Sequence, residues 1–536
     1  MTSRRDIIKA GLAAGAAAAM PAVVRAQPAA PSAARTVRMV KAYQLVSYDP
    51  VFTTSNSTQD HAYAIYDTLF GLDSKGVPQM QMVGNWDVSS DKKTYTFELR
   101  DGLGWHDGAR VTAADCVASI RRWAQNNPSG QLLLERARDI SKKDEKTFTI
   151  ALKEPLGLVL DILASESGAP LFMMREKDAS LPPNEQVKAY IGSGPFKFNE
   201  ALARPGQSFT YDRNPNYVAR KEAADFSAGG KAVKVDRVVW DSMPDLQTAV
   251  SALTAGEIDY LQNPPIDLFP VIEGNPDLTL ELENTAGFIW FIRVNCLQKP
   301  FDNVKVRQAL LHLVNQEAYM QAAIGNPKYS RANILSMFGS GSIYTNNENT
   351  GWYKKDGDPE AAKRLLKEAG YAGEKVVILQ STDNKQSSNC VELTAQLLRG
   401  IGMNVELAPG DRSAMVKRRA LKTPVAEGGW SMIMGPWGAG SFDDLVGNDL
   451  TLMNGDKAWI GWPKDDKYEA LRAQWPDAKS VEERKALARK LQQAWWDHAG
   501  TPYLGESVQP VARRKSLTGL LAGRSEYVKM WNLQKA

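Results

Sequence analysis

The chain has 536 residues, 43% hydrophobic and 24% charged, with 14 tryptophans. That length exceeds what one hydrophobic core organises and points to two or three domains. Its net charge of +4 falls mostly in residues 1–26, where Arg4, Arg5, Lys9 and Arg25 outnumber Asp6. The remaining +1 leaves no electrostatic case for nucleic acid or an anionic membrane.

Ser3-Arg4-Arg5-Asp6-Ile7-Ile8-Lys9 resembles the twin-arginine export signal, followed by a mild apolar run from Ala10 to Met20. That run is too short for a transmembrane helix, and Val24-Arg25-Ala26 offers the small residues a signal peptidase reads. The expectation is a signal peptide over 1–26, a flexible Ala/Pro-rich leader over 27–35, and a periplasmic product. No cysteine near the cleavage site suggests a lipid anchor. Cys116, Cys296 and Cys390 are widely spaced; one disulfide is open to them, and Cys116 falls in an amphipathic pattern that favours a buried thiol.

Val37–Leu45 reads as a strand. Tyr48, Asp49 and Pro50 turn it into a polar loop, Thr53 to Thr58, ahead of a helix through Tyr66. Thr54 and Ser55 cap that helix or, with Tyr48, form the polar wall of a binding site. Thr94–Arg100 alternates as a strand. Thr112 caps a helix from Ala113 to Gln125, and Thr147–Leu152 is a further strand. Ile191–Phe198 is a Gly/Pro knot suited to a domain crossing. Phe209–Tyr211 and Val235–Trp240 continue the β region, and Asp245 opens a helix ending at Gly256. Ile289–Asn295 is a strand. Pro300–Asn303 leads into one long helix with Val306, Leu310, Leu313, Val314 and Ala318 on one face. Asp358-Pro359 starts a helix that Gly370 ends. Lys375–Gln380 is a strand, Ser381–Ser388 a polar stretch, and a helix follows to Arg399. Met403–Leu407 is a strand. Ser480 and Glu483 form a capping box for a helix to Ala499. This alternation is α/β with mixed sheets.

Gly428–Leu445 holds two tryptophans, five glycines, a proline and an aspartate pair. Its composition reads as a loop whose aromatics need a surface to cover, either the core or a bound molecule, and the ligand is placed there. Trp430, Trp437 and Asp383 could receive a cationic or amine-bearing solute, and the two rings could equally stack on a sugar or aromatic. Asp443 and Asp444 add charge. Catalytic patterns are lacking: the four histidines show no zinc spacing, and no nucleophile elbow or phosphate loop occurs. Gly192-Ser193-Gly194 has no base to serve it, and His106-Asp107 reads as a hydrogen-bonded turn. No catalytic, metal or cofactor residue is assigned, which favours a binder over a secreted hydrolase.

Several segments in order resemble one family, the periplasmic solute-binding proteins of peptide/nickel-type ABC importers. They are Tyr66–Phe70, Asp91–Gly102, Trp105–Gly108, Gly192–Phe196, Pro300–Asn303 with Val306–Ala309, Leu365–Tyr371 and Trp531-Asn532. The resemblance implies a two-lobed periplasmic-binding-protein fold of type II-like, three-domain class with the ligand in the interlobe cleft. Lobe 1 would combine 36–67, 196–286 and 501–536; an inserted domain would span 68–195; lobe 2 would span 287–500. Crossovers would lie near Ala286 and Gly500 and permit hinge closure. It implies a monomer capturing a small solute, a peptide or amino-acid derivative first and an opine-like, glycosidic, aromatic or amine compound second, for a membrane permease. Peptide-binding relatives keep an aspartate in a Gly-Trp-x-x-Asp pattern. Here Gly429-Trp430 leads to Ile433 instead. The loop after Lys375–Gln380, where dipeptide binders place an arginine, carries Asp383.

Overall fold

The computed structural model describes residues 32–536 save Val46, Pro183, Asn184 and Ala189; the signal peptide and most of the leader lie outside the described residues. Of the leader, Ala33–Arg35 forms a single 3-10 turn. Three principal sheets organise the chain. A seven-stranded mixed sheet runs Leu278–Glu281, Val511–Arg514, Tyr260–Leu261, Thr36–Val40, Arg237–Asp241, Ser208–Arg213 and Phe196–Phe198 across its width. A six-stranded mixed sheet runs Ser330–Arg331, Tyr503–Ser507, Phe288–Val294, Met432–Gly438, Lys375–Ser381 and Asn404–Gly410. A four-stranded antiparallel sheet is built wholly from residues 83–152.

Local signals set many boundaries. Thr112 and Asp115 form a reciprocal capping box for Ala113–Asn126. Asp245 accepts from Thr248 N at 2.7 Å, and Gly256 closes that helix at φ 80°. Asp358 caps Pro359–Glu368, and Gly370 leaves it at φ 72°. The helix Val481–His498 begins as a half box: Ser480 accepts from Glu483 N, whereas the Glu483 carboxylate accepts from Lys479 N.

Three expectations change. The long helix after Asn303 is two, Val304–Leu313 and Gln316–Ala323, because Val314 is extended and Asn315 caps the second one through Ala318 N. The glycine-rich stretch is half strand: Met432–Gly438 pairs antiparallel with Phe288–Val294 along its whole length, which overrides glycine and proline propensity. The strand Tyr503–Ser507 belongs to the six-stranded sheet, so the return crossover is 508–510 rather than near Gly500. The outward crossover, 282–287, includes Ala286.

The part around the four-stranded sheet is bound to the first segment by buried charge. Arg122 donates to both Asp49 oxygens at 3.1 and 2.7 Å across that boundary, and beside it Lys231 pairs with Asp67 at 2.7 Å, joining the first segment to the one after residue 195 with both side chains at 0% exposure. Such pairs hold geometry, because either partner alone would be an uncompensated buried charge. His106 accepts from Gly192 N at 3.2 Å, and burial lowers its pKa to about 4, so it is a neutral turn residue. A Cβ at Gly192 would lie 1.7 Å from Ile65 O, which explains the glycine. All three cysteines are free, Cys116 and Cys390 buried. Among the described residues no helix is long and apolar enough to cross a membrane.

Candidate functional site

A cavity of about 1000 Å³ lies between the two large sheets and the inserted part. Its floor is the strand Met432–Gly438. Period-two geometry sends Met432 and Met434 toward the core below the sheet and Ile433 and Trp437 to the other face. A Cβ at Gly435 or Gly438 would meet nothing within 4 Å, so the glycines leave open space over the floor. Trp437 donates to Ser441 Oγ at 2.9 Å and meets Trp459 edge-on at 5.3 Å, forming an aromatic wall.

The sequence candidates divide. Trp437, Thr54, Asp383, Ile433 and Asp443 line the cavity. Trp430 does not: it is 0% exposed, donates to Leu421 O at 3.2 Å and packs at 6.1 Å on Trp462, so its ring fills core. Tyr48 is also displaced from the site. It sits in a ring cluster with His61, Tyr190 and Phe198 beneath the helix Asn56–Ile65. Ser55 occupies that helix's N-cap and makes its contact with Ser57 Oγ at 3.0 Å; its neighbours Thr54 and Asn56 face the cavity. Asp383 is turned to its own loop, accepting from Ser381 Oγ at 2.5 Å and Arg412 N at 3.0 Å, which hold its carboxyl below the usual range.

Asp443 forms a bridge across the cleft. Arg524, from the C-terminal segment, donates to it at 3.2 and 2.9 Å and to Gly341 O at 2.8 Å, and Ser342 also donates to it. Burial pushes its carboxyl up, opposed by Arg524. Asp444 accepts from Ser129 at 3.3 Å and Ser165 at 3.0 Å, joining the floor to the inserted part. Arg484 reaches Asp161 at 3.7 Å across the same boundary.

Sequence reading missed Tyr43, Arg412, Arg419 and Glu526, all of which line the cavity. The cluster Arg412, Lys417, Arg418 and Arg419 was a visible basic run on a short helix, Arg412–Arg419. Glu526 had no local signal. No group of metal-ligating side chains occurs among the described residues.

Residues 77–459 match the family described as bacterial extracellular solute-binding proteins, family 5 middle. Residues 1–21 match the twin-arginine translocation signal sequence. The chain is 58% identical over 536 residues to a probable peptide ABC transporter periplasmic-binding protein, y4tO, of Sinorhizobium fredii, covering 100% of this chain and 99% of that one. Among solved structures, a putative peptide-binding protein AppA from Clostridium difficile superposes with a TM-score of 0.76 at 20% identity, covering 94% of this chain and 100% of its own. A Pseudoalteromonas dipeptide-binding protein in complex with Met-Leu gives 0.75 at 22%, with coverage of 94% and 100%. At those identities the two structures establish the fold, mixed α/β with several sheets. The chain belongs to the family 5 bacterial extracellular solute-binding proteins: it is exported to the periplasm by the twin-arginine route and binds a small molecule for the permease of an ABC importer, without catalysing a reaction.

Proposed function

We propose that the solute is a short peptide or a related amino-acid derivative. The cleft carries this reading. At about 1000 Å³ it is large for a single metabolite, with an apolar floor at Ile433 and Trp437 and charged walls of both signs. The name of the 58% identical relative points the same way. The loss of the aspartate pattern at Ile433 restricts how such a ligand is held rather than its class. We further propose that the protein works as a monomer and without nucleic acid, as its near-neutral charge beyond residue 26 suggests. On this reading the lobes divide as 36–67, 196–286 and 508–536 against 287–507, with 68–195 inserted.

A thermal-shift panel of free di- to tetrapeptides, opines, sugars and aromatic amines tests the proposal. A binder at a hundredfold excess over Kd stabilises by about 2.7 kcal/mol. Peptides should raise the midpoint and be recovered intact. A response confined to the sugars or aromatic amines refutes the peptide reading.

A further inference from the structure

Most carboxylates on the cavity wall are already occupied. Asp443 holds Arg524, Asp161 faces Arg484, and Asp444 is filled by two serine hydroxyls and the amides of Val446 and Gly447. Glu166 pairs with buried Lys529 at 3.2 Å. Glu526 differs. It is partly buried, its hydrogen-bond partner is the neutral Asn56 side chain, and no cation lies within ion-pair distance among the described residues. Burial raises its pKa, and Asp60 adds like-charge pressure. A carboxylate so placed gains most from a cation arriving with the ligand.

The facing lobe offers the opposite charge. Arg412 and Arg419 both line the cavity, and neither has an ion-pair partner among the described residues. Arg419 stands over the Trp459 ring at 5.7 Å, and burial and then the neighbouring Arg412 lower its pKa. The nearby carboxylate, Asp383, is turned to Ser381 and to the Arg412 backbone. Tyr43, 52% exposed, lies within electrostatic reach of both Glu526 and Arg412, so the two charges face a common region.

We infer that Glu526 receives the ammonium group of the solute and that Arg412, with Arg419, receives its carboxylate, so that the cleft selects free zwitterionic peptides or amino-acid derivatives. This rests on the peptide reading above. Here the ammonium acceptor comes from the C-terminal segment of the first lobe rather than from position 433 of the second.

The test uses the full mature chain, Glu526→Gln and Arg412→Gln. The probes are a free peptide bound by the wild type, its N-acetylated form and its C-amidated form, measured by calorimetry. N-acetylation should weaken wild-type binding about tenfold to a hundredfold, and less than about twofold in Glu526→Gln. C-amidation should behave likewise against Arg412→Gln. Because both penalties are measured within one variant, a change in its stability does not imitate the result. Equal N-acetylation penalties in wild type and Glu526→Gln overturn the Glu526 assignment, and equal C-amidation penalties overturn that of Arg412, while the peptide reading survives. If the wild type binds no free peptide, both readings fall together.

Discussion

The Arg524–Asp443 bridge yields the sharpest prediction. Three hydrogen bonds leave one guanidinium for the opposite half of the molecule, two to Asp443 and one to Gly341 O. Charge-assisted bonds contribute about 1.5–3 kcal/mol each when well buried. Here the side chains are 14% and 30% exposed, and two bonds share one carboxylate, so the bridge as a whole is worth about 1–2 kcal/mol. Since its partners sit on opposite sides of the cleft, that energy bears on closure rather than on the fold of either lobe. Arg524→Gln should therefore weaken peptide binding roughly five- to thirtyfold. X-ray scattering should show a more open ligand-free form, and a liganded form of unchanged radius. Asp443→Asn added to Arg524→Gln should cost less than about twofold more, because the interaction is already gone. If Asp443→Asn weakens binding fully in the Arg524→Gln background, Asp443 touches the solute directly and the latch argument fails.

Other perturbations separate core from cleft. Trp430→Ala should destabilise the chain by about 3–5 kcal/mol in denaturant unfolding, as the loss of a fully buried ring requires; a change confined to ligand affinity would contradict its core placement. Trp437→Ala should destabilise by no more than about 1–2 kcal/mol, the loss of its Ser441 and Trp459 contacts, and raise the peptide Kd at least about fivefold, since its ring is half-buried in the cavity wall. Glu283, in the outward crossover, has its pKa raised to about 7 by burial, against an opposing hydrogen bond from Tyr260 at 2.5 Å. An acid raised on folding stabilises fully below its unfolded pKa of about 4.5 and loses that contribution as pH rises through about 7. Glu283→Gln should thus flatten the fall in unfolding midpoint over that window; an unaltered pH profile would exclude Glu283 as its source. Gly287→Ala should destabilise by at least about 1–2 kcal/mol, because Gly287 has φ 74° and a Cβ there would lie 2.3 Å from Ser507 O.

What the sequence disclosed follows from the range of the forces involved. Caps at Thr112, Asp245 and Asp358 act within a few residues and were legible in the string. So was the strand Thr147–Leu152, whose period-two pattern faces a single core. The Met432–Gly438 strand was hidden because its partner, Phe288–Val294, lies far away in the chain and no local propensity announces the pairing. Trp430 and Trp437 look alike in composition. Only the register of that strand places Trp437 over open space, while Trp430, just before it, packs into a small core of its own. The charged anchors were the least readable. Tyr43, Arg412 and Glu526 converge from three distant segments, and nothing near any one of them marks it as facing a cleft.

The two crossovers have a geometric consequence. Phe288 pairs with Ser507 on one side and with Gly438 on the other, so both connections leave the six-stranded sheet from a single rung of its ladder. Thr285, in the outward connection, is further tied to Gly523 by its amide at 2.8 Å. If one half rotates against the other, as the proposed solute capture requires, that rung would be the pivot, and displacement would grow with distance from it. Trp437, one step from that rung, would barely move relative to the linkers. Arg412, carried on the helix beyond the Asn404–Gly410 edge of the sheet, would travel farther. On that reading a solute would meet an aromatic platform already assembled at the base, and the arginines would close over it from the far edge.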